Sequence, residues 1–229
     1  MHTMGFLTNQ QGRRIFLWVW LIFGLAPTAL PNLARAQTIQ WIRQFGSTQD
    51  DYARGLAVDS TGVYVVGFTT GTLPRQTNNA GLGDAFVRRY DTNGNELWTR
   101  QFGTDGDDVA YGVAVDITGA YVVGFSSGTL PGQTRTEGGG DDVFVRKYDR
   151  NGAEEWTRQF GTASRFARQG IDEAYGVAVD ASGVFVVGYT SDTLPGQTTG
   201  GGGDAFLRKY DGNGTEQWTR QFFCLRKPL

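Results

Sequence analysis

Three stretches of the chain are near copies of one another. DAFVRRYDTNGNELWTRQFGT fills 84–104, DVFVRKYDRNGAEEWTRQFGT fills 142–162, and DAFLRKYDGNGTEQWTRQFF fills 204–223. Gln44-Phe45-Gly46 returns as Gln101-Phe102-Gly103 and Gln159-Phe160-Gly161, at spacings of 57 and 58 residues. GVYVVGFTTGTLP from Gly62 returns as GAYVVGFSSGTLP from Gly119 and GVFVVGYTSDTLP from Gly183. A repeat of this kind narrows the fold sharply. Each copy must make the same small unit, and the units must bury their apolar faces against their neighbours.

Within a unit the pattern is that of strands. In the second copy, Tyr111 to Asp116 is a first strand of small residues, and ITG turns the chain. Ala120 to Ser126 is a second strand, apolar on both faces and so predicted to be covered on both sides. The loop SGTLPGQTRTEGGGD leads to a third strand, Val143 to Asp149. DRNG then makes a hairpin, because Asn-Gly and Asp-Gly steps supply the positive φ that tight turns need. The fourth strand, Glu155 to Phe160, puts Trp156, Arg158 and Phe160 on one face. No stretch has helical periodicity. The third copy differs by an insertion, ASRFARQGI, before Ala174, read as a surface excursion or a contact loop.

Four short antiparallel strands repeated at more than 50 residues predict an all-β chain of β-propeller blades, at roughly 52–103, 110–161 and 174–222 within a repeat region 37–222. A sandwich would not need near-identical units, and a solenoid coil would be shorter. The small first strand suits a crowded central channel. Trp98, Trp156 and Trp218, with Phe102 and Phe160, suit the outer rim, each ring covering the next blade. Those tryptophans would suit sugar stacking if exposed; their regular placement favours packing. Gly124 and Gly188 recur at one position of the second strand and belong to the same structural set.

The motifs resemble the bacterial β-propeller repeat called SBBP, for seven-bladed β-propeller. Its pattern combines Gly-x-Ala-Val-Asp, a Gly-x-x-Tyr-Val-x-Gly step, Asp-Ala-Phe-Val-x-Lys and a closing aromatic strand ending at Gly. Here Gly112 to Asp116, Gly119 to Gly124 and Asp142 to Lys147 carry it, with counterparts in the other two units. The resemblance implies exported or surface-exposed proteins, mostly without assigned activity, and supplies no catalytic residues.

The strands do not sum to whole blades. QWIRQF, at Gln40 to Phe45, copies the fourth strand without preceding strands of its own, so 38–46 is read as a lone outer strand. Three blades fall below the four to eight of a ring. After Phe222 the tail 223–229, FCLRKPL, has no counterpart in the other units. The expectation is an incomplete, open propeller, truncated from or shifted in frame within a longer one. The alternative is two three-blade arcs joined in a six-blade ring. Open blade ends are expected to favour self-association.

Residues 1–36 read as a secretory signal peptide: Arg13-Arg14, an apolar run from Ile15 to Leu30, and Ala34-Arg35-Ala36 before Gln37. Gly24 and Pro27 interrupt the run, which argues against a membrane anchor. RRIFL resembles a twin-arginine core, but Trp18 stands where Lys is usual, so the general secretory route is expected. Cleavage would leave no membrane span in the mature chain and place it in the periplasm, at the cell surface or outside the cell. It would also remove the one histidine, His2, and three arginines, moving a net charge of −2 further negative. That argues against nucleic acid as a partner and excludes His-dependent catalysis and zinc binding. One cysteine, Cys224, permits no internal disulfide.

Acidic residues recur on the side opposite the DSTG, DITG, DASG and D-x-N-G turns. Asp107 and Asp108, with Asp141 and Asp142, are candidate Ca²⁺ ligands, since Ca²⁺ prefers oxygen donors. The same residues read more readily as turn formers bonded to nearby backbone. Ca²⁺ is the one cofactor the sequence raises. Paired carboxylates also serve glycosidases, but sequence neighbours in an extended segment point to opposite faces. The expectation is an exported, non-enzymatic scaffold or binding module for a protein or polysaccharide. The competing readings are an extracellular carbohydrate-active enzyme using the acidic loops and a Ca²⁺-dependent adhesion module.

Overall fold

Twelve strands fold into three sheets of four in the computed structural model, which describes residues 39–77, 81–136, 140–163, 170–198 and 202–222. The segment 1–36 that the sequence suggests as a signal peptide, the insertion SRFARQ and the tail with Cys224 lie outside the described residues. The first sheet comprises β1 (Asp51–Asp59), β2 (Gly62–Thr69), β3 (Asp84–Tyr90) and β4 (Glu96–Phe102). The second comprises β5 (Asp108–Val115), β6 (Gly119–Ser126), β7 (Asp142–Asp149) and β8 (Glu154–Phe160). The third comprises β9 (Asp172–Asp180), β10 (Gly183–Thr190), β11 (Asp204–Tyr210) and β12 (Glu216–Phe222). In each sheet the strands lie side by side in chain order and every pairing is antiparallel. These are propeller blades, and none of the sheets closes on itself.

The hairpins follow from their sequence. Gly94, Gly152 and Gly214 have φ of 75°, 78° and 77°, a region that favours glycine. In the second blade Gly152 N–H donates to Asp149 O, and Asp149 Oδ1 accepts from the N–H groups of Asn151 and Ala153. The Asp of D-x-N-G therefore caps its own turn.

The inner strands carry a β-bulge at one recurring place. Pairing jumps from Ala53 to Gly55, from Ala110 to Gly112 and from Ala174 to Gly176, leaving Arg54, Tyr111 and Tyr175 as the extra residues. The glycines beyond the bulge allow neighbouring blades to meet. A Cβ on Gly55 would stand 2.6 Å from Tyr111 O, and one on Gly112 3.1 Å from Tyr175 O. Opposite the bulge, a Cβ on Gly124 would run into Val109 O and one on Gly188 into Glu173 O. Both glycines are therefore fixed by close approach of a partner strand.

The core lies between the blades. Tyr64, Val66, Val87, Trp98 and Phe102 of the first blade pack with Ala110, Val122, Phe144 and Tyr148 of the second. Tyr121, Val123 and Val145 of the second pack with Val184, Val186, Phe206 and Tyr210 of the third. The middle blade is thus covered on both faces. Every residue of β6 is buried, as its two-sided apolar pattern predicts, whereas β11 alternates between buried and partly buried or exposed positions.

Residues 39–47 form no strand, in contrast to the lone outer strand expected at 38–46. Among the described residues no further three strands lie beside them to supply a ladder. They nevertheless reproduce the side-chain contacts of a rim strand. Phe45 stands edge-on to Phe86 and Trp41 lies against Tyr90, and β3 is buried along its whole length beneath them. The segment caps the rim half of the first blade.

Candidate functional site

The tryptophans sit in the seams. Trp98 Nε1 donates to Arg150 O of the next blade at 3.0 Å, and Trp156 Nε1 to Gly212 O at 3.0 Å. Each ring lies over the hairpin glycine, so a Cβ on Gly152 or Gly214 would be 2.7 Å from it. Two residues along, Arg100 Nε donates to Gly152 O and Arg158 Nε to Gly214 O. Phe102 and Phe160 then stand edge-on to Phe144 and Phe206. Trp41 and Arg43 repeat the pattern on Thr92 O and Gly94 O. Trp218 is half-buried and, among the described residues, has no following hairpin beneath it. These rings are packing groups, as their regular position in the sequence indicates.

Below each Phe lies a buried arginine. Arg88, Arg146 and Arg208 place their guanidinium groups 4.0, 4.1 and 3.5 Å from the rings of Phe45, Phe102 and Phe160. Each also pairs with a glutamate of its own blade, Glu96, Glu154 or Glu216. Open clefts of about 280 Å³ flank two of these sites, one of them lined by Arg100, Phe102, Arg146, Tyr148 and Glu154. That is below the roughly 300–1,000 Å³ of ligand pockets, and Arg146 and Glu154 pair with each other.

The four candidate Ca²⁺ ligands are not gathered into one site. Asp108 and Asp142 are buried inside different seams, whereas Asp107 is exposed and Asp141 half-buried. Alternation along an extended chain parts each pair of neighbours, and each buried carboxylate instead meets one from the adjoining blade. Asp84 Oδ1 and Asp108 Oδ2 flank Gly103, where a Cβ would stand 2.5 and 2.7 Å from them. Asp142 and Asp172 flank Gly161 in the same way. Among the described residues no group of three or more His, Cys, Asp or Glu side chains gathers to hold a metal ion. The turn reading fits the bonds these residues make: Thr104 donates N–H and O–H to Asp108 Oδ2, and Thr162 does the same to Asp172 Oδ2.

A second constellation was not legible in the sequence. The bulges turn Arg54, Tyr111 and Tyr175 toward one another across the three inner strands. Tyr111 and Tyr175 lie 5.4 Å apart between ring centres, and Tyr111 lies 5.8 Å from Phe125. Tyr52 stacks on Phe68 at 4.8 Å, with the Arg54 guanidinium 5.5 Å from the Tyr52 ring. Tyr52 and Tyr175 are about half exposed, at 45% and 51%. Burial, reinforced by a hydrogen bond to Glu173, holds the Tyr175 phenol above its ordinary range. The result is an aromatic strip with one arginine and one glutamate, open to solvent. Bulges are over-represented beside functional sites because they re-aim a side chain.

Residues 40–74, from the capping segment through β2, match the family model of the SBBP beta-propeller repeat. The matched frame begins with the aromatic capping segment and runs through β1 and β2 of the first blade. A curated relative, the regulatory protein FlaEY of Caulobacter vibrioides, is 32% identical over 179 residues. The match covers 72% of this chain and 18% of the length of FlaEY.

Proposed function

We propose that this SBBP-repeat protein is an exported, non-enzymatic binding module whose ligand face is the aromatic strip of Tyr52, Phe68, Tyr111 and Tyr175, backed by the buried Phe125. The observation that carries this reading is the recurrence of the bulge in all three inner strands, which aims one side chain per blade at a common open surface. Rigid aromatic rings beside Arg54 and Glu173 suit the faces and hydroxyls of a polysaccharide. Supporting a non-catalytic role, Asp108, Asp142 and Asp172 accept hydrogen bonds inside the seams and are buried there. FlaEY is named a regulatory protein, which favours a second reading, a regulatory scaffold whose partner at the same strip is a protein.

Binding to an immobilised polysaccharide panel tests the first reading. Tyr175→Ala and Tyr111→Ala should each weaken a positive interaction by about two- to tenfold, given roughly 0.5–1.5 kcal/mol per aromatic contact. Unchanged binding by folded variants would remove the strip from the account. Export is tested by N-terminal sequencing of the protein released from a secreting bacterium, which should begin at Gln37.

A further inference from the structure

The acidic pairs in the seams have a property that turn formation does not explain. Asp84 and Asp108 come from different blades, as do Asp142 and Asp172, and all four side chains are at most 1% exposed. In the first seam Gln101 from β4 bonds Asp84, Thr104 bonds Asp108, and Ser126 of β6 stands beside Asp108. The acidic Asp107 lies next to Gly83 on the approach to β5. In the second seam Gln159 of β8 and the Thr136 N–H bond Asp142 Oδ2, while Thr162 bonds Asp172 and Thr190 of β10 stands beside it. Arg135 is the cation facing Asp142, and Asp141 is bonded by Ser127. Asp142 Oδ1, turned to Gly161 beside Asp172, is buried and accepts no hydrogen bond. Two carboxylates held this way, out of water, cannot comfortably both ionise.

We propose that each complete seam is a proton-operated clasp, in which the Asp84–Asp108 and Asp142–Asp172 pairs take up a proton from solvent on mild acidification and hold adjoining blades more tightly. The first-strand aspartate of one blade and the third-strand aspartate of the blade before it form the clasp. Its recurrence at both seams makes it a property of the repeat. Burial, with Asp84 adding to it, raises Asp108 to about 6, and burial, with Asp172 adding to it, raises Asp142 above the ordinary range; burial likewise raises Asp172. A carboxyl whose folded value is raised binds protons more tightly in the folded state. It therefore weakens the fold at high pH, and that penalty is relieved as pH falls through the folded value toward 4.

The test is thermal unfolding of the full chain from pH 8 to pH 5. The melting temperature should rise on acidification by at least about 2–4 °C, the shift expected per kcal/mol for a domain of this size. Asp108→Asn with Asp172→Asn places an uncharged hydrogen-bond donor opposite each partner. It should raise the melting temperature at pH 8 and abolish the rise. In the unsubstituted protein, the ¹³Cγ resonance of Asp108 should titrate with a midpoint near 6, a readout that needs no variant. A flat or falling melting temperature, a full rise in the double variant, or an Asp108 midpoint below 4 would each overturn the proposal. So would a Ca²⁺-induced stabilisation at pH 8 that the double variant loses, since a cation and not a proton would then close the seam.

Discussion

At the scale of the residue, the repeated positions are constrained by contacts that one atom decides. Gly124 and Gly212 are both glycines in the second and third repeats, yet they face opposite circumstances. A Cβ on Gly124 meets the Val109 carbonyl, whereas one on Gly212 meets nothing within 4 Å. Gly124→Ala should therefore destabilise the fold by about 1–3 kcal/mol, the range for overpacking. Gly212→Ala should be neutral or stabilise by up to about 1 kcal/mol through the unfolded chain. Urea unfolding separates the two outcomes, and equal costs would refute the steric account. The recurrence of Gly124 as Gly188 was visible in the sequence. The pairing of Asp142 with Asp172 was not: alternation shows that Asp142 turns away from Asp141, but not what it turns toward. The same limit hid the aromatic strip. A bulge breaks the period of two, so Tyr111 and Tyr175 do not point where simple alternation would send them.

At the scale of the element, the hairpin of the second blade does more than its counterparts. Arg150 reaches Asp59 Oδ2 at 2.7 Å, Thr61 Oγ1 at 3.1 Å and Ile117 O at 2.9 Å, tying the inner turns of two blades together. Thr92 and Gly212 hold this place in the other hairpins. Burial disfavours the Asp59 carboxylate, but bonds from Thr61 and the charges of Arg150 and Arg89 outweigh it and hold the group below its ordinary range. Its contribution is therefore present at neutral pH and lost as pH falls below about 4, the opposite sense to the seam pairs. Arg150→Gly should cost up to about 1 kcal/mol, since the pair is partly solvated. The loss should shrink in high salt, which screens such pairs. A cost independent of both salt and pH would assign the effect to the turn backbone. The hairpins and rim strands were legible because Asn-Gly and the Trp-x-Arg-x-Phe spacing each carry their geometry locally. The capping segment was legible only in its side chains, since a strand needs a hydrogen-bonded neighbour and 39–47 has none among the described residues.

At the scale of the whole molecule, the two ends of the blade array differ. The first blade is capped by Trp41 and Phe45. The third presents Val187 and Phe222, 45% and 55% exposed, beside a Trp218 with no described hairpin beneath it. Exposed apolar surface of this kind favours association. The purified chain from Gln37 to Leu229 should therefore associate with rising concentration, and Trp218→Ser with Phe222→Ser should reduce that in light scattering. A concentration-independent monomer would show that the third blade needs no cover. The seam geometry also bears on how such a gene changes. Trp98 and Trp156 find the same glycine of the same turn in the blade that follows them. Duplication or deletion of one whole unit, in frame, sets every new neighbour into a matched junction without a compensating substitution. Selection can then alter the number of units independently of the chemistry that joins them.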